Sequence, residues 1–173
     1  MKNNLIGIAG PAGSGKSLLA SMIEETAAFH AIRMPFAGQL KNVMRDLGWD
    51  GEKDEKGRWA LQVVGTDIGR HYDNNIWVKK WSKMYETWRD KGFCVIADDI
   101  RFENEVAKIK EEGGLLVYLL GRQSDLGNNS NHSSEQNLSQ DLFNITYFNT
   151  GSKDGLKRLA GRVIYEICER NRG

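Results

Sequence analysis

Eight consecutive residues, Gly10-Pro11-Ala12-Gly13-Ser14-Gly15-Lys16-Ser17, constrain this chain more than any other feature. They fit the pattern in which two glycines are separated by four residues and the second is followed by Lys and Ser. Glycine lets the backbone curl so that its N–H groups converge on an anion. Lys16 adds positive charge for the β and γ phosphates, and Ser17 adds a hydroxyl suited to magnesium. Before the motif, Leu5-Ile6-Gly7-Ile8-Ala9 is a short apolar run that suits a buried strand. After it, Leu18, Leu19, Met22, Ile23 and Ala27 recur at helical spacing. The positive end of that helix points at the same anion. The three glycines also suggest a dinucleotide fingerprint. That pattern lacks the Lys-Ser pair and needs an acidic residue about 20 positions on. Glu24 and Glu25 come too early for it.

The rest of the chain alternates in the same way. Residues 30–35 read as a second strand, and residues 38–47 and 58–71 as helices. The charged interval 50–58 between these helices reads as a loop. Trp77, Trp81, Met84, Tyr85 and Trp88 form one helical stripe, which reads as core packing rather than a base-stacking surface. Residues 93–97 and 115–120 are further strands, separated by a helix marked by Phe102, Val106 and Ile109. Residues 121–140 hold mostly Asn, Ser, Gln, Asp and Gly, the composition of a mobile loop or a disordered linker. A last strand at 142–148 and a helix through Leu156, Leu159, Val163, Ile164, Ile167 and Cys168 complete the pattern. Such alternation predicts an α/β fold with a parallel sheet covered on both faces. Ligands of such sheets bind at the carboxyl ends of the strands.

Composition sets the outer bounds. A chain of 173 residues suits one domain, taken as 1–173. Its 24 Lys plus Arg against 23 Asp plus Glu argue against a protein that coats a nucleic-acid polymer. No apolar run approaches the ~18 residues of a membrane helix. Residues 5–9 are too short for a signal peptide, so the expected location is the cytoplasm. Cys94 and Cys168 make no disulfide framework and read as buried thiols. With three scattered histidines they make no zinc site either.

Two further clusters carry charge. Asp98-Asp99-Ile100-Arg101 directly follows an apolar run. A carboxylate there could face magnesium or position an attacking oxygen, and Arg101 offers a rigid fork for phosphate. The alternatives are a solvated turn or a helix cap. Gly65-Thr66-Asp67-Ile68-Gly69-Arg70 interrupts a helical stretch; Arg70 could grip a second phosphate or simply lie on the surface. His132-Ser133-Ser134-Glu135 has hydrolase residue types without the strand-to-helix elbow a nucleophile needs. A guanine-reading Asn-Lys-x-Asp phrase is absent from the sequence.

These phrases occur in an order that resembles the bacteriophage-type deoxynucleoside monophosphate kinases, within the nucleoside monophosphate kinase group of P-loop folds. The resemblance rests on Gly10 to Ser17, Gly65 to Arg70 through Trp77, Asp99-Ile100-Arg101-Phe102-Glu103-Asn104-Glu105, His132 to Glu135, and Asn149. It implies a three-layer P-loop fold with a helical monophosphate-binding region over 36–90 and a short lid over 121–140. It also implies transfer of the γ-phosphoryl group of ATP, with Mg2+, to a deoxynucleoside 5′-monophosphate. By the resemblance, Gly10, Ala12, Gly13, Ser14, Gly15, Lys16, Ser17 and Leu18 would hold ATP. Lys16, Asp99, Arg101 and Arg122 would be catalytic. Arg70, Asp99, Arg101, Ser134 and Glu135 would bind the acceptor, and Ser17 and Asp98 the metal. The expected partner is the small substrate, with no nucleic-acid polymer and no membrane; a homodimer is left open. Phosphomevalonate kinases share a similar Asp-x-Arg and Ser-Glu pattern, and a nucleotide-binding switch or assembly protein is the alternative of another class.

Overall fold

The structure, a computed structural model, describes residues 4–52, 54–121 and 138–172. In chain order its elements are β1 (Leu5–Ala9), α1 (Lys16–Thr26), β2 (Ala31–Arg33), α2 (Ala37–Asp46) and α3 (Glu55–Gln62). A π-helical segment (Val63–Arg70) continues α3. Then come α4 (Ile76–Asp90), β3 (Cys94–Ile100), α5 (Glu103–Glu111) and β4 (Leu115–Leu120). A 3-10 turn (Gln140–Leu142), β5 (Ile145–Phe148) and α6 (Lys153–Arg172) follow.

The five strands form one sheet in the order β2-β3-β1-β4-β5, and every pairing is parallel. Side chains on each strand alternate between the two faces. Ile6, Ile8, Cys94, Ile96, Leu115, Val117 and Leu119 meet Leu19, Ala20 and Ile23 of α1 and Leu156, Leu159, Val163 and Ile167 of α6. Leu5, Ala9, Val95, Ala97 and Leu116 meet Val78, Trp81 and Tyr85 of α4 and Val106 and Ile109 of α5. Helices therefore cover both faces, which gives the three layers around a parallel sheet that the alternation predicts. β1 lies between β3 and β4, so crossovers diverge around it and a crevice opens at its carboxyl end.

The aromatic stripe of α4 is core, with one exception. Trp81 is fully buried, stacks between Phe36 and Tyr85, and donates its indole N–H to the Met34 carbonyl oxygen at 2.7 Å. Met84 lies on the outer side instead, 38% exposed. Cys94 is buried, whereas Cys168 is only half-buried, contrary to the expectation that both thiols are enclosed. No helix of the described residues is long and apolar enough to cross a membrane.

Candidate active site

The chain leaves β1 at Ala9 and enters the glycine loop. Gly10, Gly13 and Gly15 have φ of 141°, 76° and 98°. At Gly10 space decides as well: a methyl carbon there would fall 2.2 Å from the Leu119 carbonyl oxygen. α1 then starts at Lys16 with no side-chain cap. The first N–H groups of a helix have no intrahelical acceptor, so an uncapped start offers them to an anion. The Lys16 ammonium donates to the Gly10 and Pro11 carbonyl oxygens, each at 2.7 Å. This places positive charge across the loop. Ser17 and Leu18, in the first turn of α1, are both exposed. Beneath the loop, buried Asn149 donates its side-chain N–H to the Ser14 carbonyl oxygen at 2.8 Å.

β3 is longer than its apolar run suggests. It continues to Ile100, so Asp98 and Asp99 lie within the strand rather than beyond it. The register with β1 shifts past Gly7, so that Ala9 pairs with Ile100. Partners on the two faces make the buried charges tolerable. Asp98 accepts from Arg33 at 2.6 Å, and Arg33 also donates to the Ser21 hydroxyl of α1 at 3.1 Å. Asp99 accepts from the N–H groups of Phe36 and Ala37 at 2.8 and 2.9 Å, holding the start of α2. Burial pushes the Asp99 carboxyl up from its ordinary value; Asp98 adds to this, and the two amides and Arg101 oppose it.

A second cluster adjoins this strand end. Glu105 at the start of α5 is buried and accepts from the N–H groups of Arg101 and Phe102, at 2.8 and 3.2 Å. Its other oxygen pairs with Arg70 at 2.6 Å. The Arg70 guanidinium lies 3.6 Å from the centre of the Phe102 ring. Burial and the nearby Asp99 push Glu105 up to about 7, against the pull of Arg70 and the two amides. Arg70 and Phe102 line a cavity of about 690 Å³ together with Thr66, Asp67, His71, Asn74, Glu103 and Asn104. The volume lies in the range of small-molecule pockets.

The geometry thus forms two neighbouring groups. On the α1 side are the loop from Gly10 to Ser17 and, linked through Arg33 and Ser21, Asp98. On the α2 and α5 side are Asp99, Arg70 and Glu105, with Arg101 exposed at the strand end. Arg122, Ser134, Glu135 and His132, with the segment expected as a lid up to residue 137, lie outside the described residues. Among the described residues no cluster of three or more His, Cys, Asp or Glu could hold a metal. Sequence reasoning missed Arg33, and it quoted Glu105 and Asn149 without a role. The signals available were an arginine ending a short strand and a Glu following Phe102 at capping-box spacing.

Comparison with known proteins bears on the family and the fold. The family model for deoxynucleotide monophosphate kinase matches residues 49–159. A protein of Acanthamoeba polyphaga mimivirus, provisionally named a deoxynucleotide monophosphate kinase, is 30% identical over 161 residues, covering 78% of this chain and 81% of its own. Among solved structures, a variant of the Mycobacterium tuberculosis APS kinase superposes with a TM-score of 0.57 at 16% identity, covering 97% of this chain and 98% of its own. A protein of Chloroflexus aurantiacus j-10-fl, provisionally named a kinase, gives a TM-score of 0.59 at 10% identity and 97% coverage of each chain. These two likenesses concern the fold alone.

Proposed function

The chain belongs to the deoxynucleotide monophosphate kinase family, and from that premise we propose that it transfers the γ-phosphoryl group of ATP to a deoxynucleoside 5′-monophosphate, leaving two diphosphates. The enzyme is a phosphotransferase. One observation carries the reading of the donor: α1 starts uncapped behind a loop whose three glycines have positive φ and whose lysine spans the mouth.

In this reading the loop amides and the start of α1 bind the β and γ phosphates. Lys16 exchanges its carbonyl partners for phosphate oxygens, which attract an ammonium more strongly because they are charged. The donor set fits magnesium, because that ion keeps several waters and takes phosphate oxygens rather than an all-protein cage. The Ser17 hydroxyl, and Asp98 on the same side of the sheet, would hold it, and its charge would offset that of the phosphates.

The acceptor belongs on the other side of β3. Arg70 lines the cavity beside that strand, and a planar guanidinium grips two phosphate oxygens at once. Arg101 at the strand end adds a second cation. A monophosphate oxygen is already anionic near neutral pH, so transfer needs positioning more than a strong base. Asp99 contributes by fixing α2 against the acceptor side. No phosphoenzyme forms: the bond from the β–γ bridging oxygen to the γ phosphorus breaks as the acceptor oxygen bonds to it.

The test is release of ADP from ATP with a panel of deoxynucleoside and ribonucleoside monophosphates, run beside phosphomevalonate. Release driven by one or more deoxynucleoside monophosphates is the expected result. Release driven by phosphomevalonate alone, or by no monophosphate, would overturn the reading.

A further inference from the structure

We propose that Asn149 is the positioning residue that aims the Gly15 amide into the phosphate loop; this rests on the reading of that loop as the ATP site. Asn149 follows β5, far along the chain from the glycine loop, and is only 8% exposed. Its side chain is used at both ends. The N–H₂ group donates to the Ser14 carbonyl oxygen at 2.8 Å, and the oxygen accepts from the Gly151 N–H at 2.8 Å. These two partners fix which end of the amide is which. The Asn149 backbone N–H donates to the Leu120 carbonyl oxygen at 3.0 Å, which ties the same residue to the end of β4.

The consequence follows from peptide geometry. The Ser14 carbonyl and the Gly15 N–H belong to one planar trans unit, in which C=O and N–H point in opposite directions. Asn149 draws the carbonyl toward the core, so the N–H of the same unit faces outward. Gly15 itself is compressed from below. A methyl carbon on it would fall 2.9 Å from the Asn149 side-chain nitrogen and 3.3 Å from Leu156. Its φ of 98° is the left-handed region in which a peptide plane turns freely for glycine. A peptide plane that glycine leaves free to turn needs an external partner to fix its direction, and among the described residues Asn149 is that partner.

The reading makes Asn149 act through Gly15 and the bound phosphates, not through the acceptor. Two substitutions separate this from a structural role. Asn149→Leu removes the donor without adding charge and nearly keeps the volume. Asn149→Asp keeps the acceptor for Gly151 but also loses the donor. Calorimetry with inorganic triphosphate, which carries the phosphate chain without a base, reads the effect directly. Both variants should bind it more weakly, on the order of tenfold for one lost charge-assisted amide contact. In turnover, the KM for ATP should rise in both, while the KM for the monophosphate stays within about twofold. Triphosphate affinity at the wild-type level in a folded Asn149→Leu protein would overturn the role of Asn149 and leave the kinase reading standing. Failure of the wild-type protein to bind any triphosphate would overturn both. A third measurement needs no variant. In a nuclear magnetic resonance titration of the wild-type protein with inorganic triphosphate, the Gly15 amide proton should move downfield. A Gly15 resonance that stays in place while triphosphate binds would overturn the proposal.

Discussion

In the proposed function, Lys16 is the residue on which the donor site depends most. It contacts loop carbonyls rather than core, so Lys16→Ala should leave the thermal midpoint nearly unchanged. Turnover should fall by about a hundredfold or more, as when one preorganised donor to transition-state charge is removed. A folded Lys16→Ala protein with wild-type turnover would remove the loop from the mechanism. On the acceptor side, Arg70→Lys keeps the charge but loses the planar group that lies on Phe102 and pairs with Glu105. The KM for the monophosphate should rise several-fold while that for ATP stays put. Equal changes would place Arg70 elsewhere. Glu105 gives a pH-dependent prediction. Its folded-state value is raised from 4.5 to about 7 by burial and by Asp99. A raised value means that the stability linked to this group is complete below about 4.5 and is lost as pH climbs through 7. At about 1.4 kcal/mol per unit, the whole effect is about 3 kcal/mol, shared with Asp99 because the two acids titrate together. Chemical denaturation at pH 5 and pH 8 should therefore show the wild-type protein losing ground to Glu105→Gln as pH rises. A difference that does not change with pH would mean that Arg70 and the two amides, not burial, dominate.

Among the elements, the π-helical segment departs most from what periodicity alone predicts. Residues 58–71 read as a helix with a polar interruption; the structure instead runs α3 directly into the wider turns of Val63–Arg70. Trp77 accounts for this. Its indole N–H donates to the Gly65 carbonyl oxygen at 2.8 Å, and its ring lies against Gly69. A methyl carbon on Gly69 would fall 2.9 Å from that ring and 2.8 Å from the Val64 carbonyl oxygen. On Gly65 it would meet the flexible end of Leu40 at 2.7 Å. Gly69→Ala should thus destabilise more than Gly65→Ala, since backbone and a buried ring cannot give way as a leucine tip can. Trp77→Phe leaves the Gly65 carbonyl without its donor, which costs about 1–3 kcal/mol. Urea unfolding ranks these variants, and an Arg70-bearing segment loosened in this way should also raise the KM for the monophosphate. If Gly65→Ala proves the more damaging of the two, the account of the wide turn is wrong.

At the scale of the molecule, Cys94 reports whether the layers open together. It lies on β3 under the α1 and α6 layer, and burial, with Cys168 nearby, pushes its thiol up to about 12. Since the thiolate is the reactive form, native protein at pH 8 should be alkylated quickly at half-buried Cys168 alone. Cys94 should react only as fast as the protein unfolds globally, which mass spectrometry under increasing urea would follow. Rapid labelling of both thiols without denaturant would show that the sheet opens locally along β3.

The parts legible in the sequence were those set by neighbours along the chain. The apolar run of β1, the glycine loop and part of the face of α1 follow from local periodicity and from conformations open to glycine; Leu19 and Ile23 are buried as expected, whereas Leu18 is exposed and Ala27 lies past the helix end. β4 falls on Leu115–Leu120, where a continuous apolar run predicts it. What the tertiary structure alone decided were pairings between distant positions. Arg33 reaches Asp98 across 65 residues, Arg70 reaches Glu105 across 35, and Asn149 reaches Ser14 across 135. A side chain able to make such a bond looks the same in the sequence whether it is solvated or bonded. Only the folded sheet, which brings the carboxyl ends of β1, β3 and β5 together, determines which acids are satisfied internally and which groups the proposed function can use for phosphate.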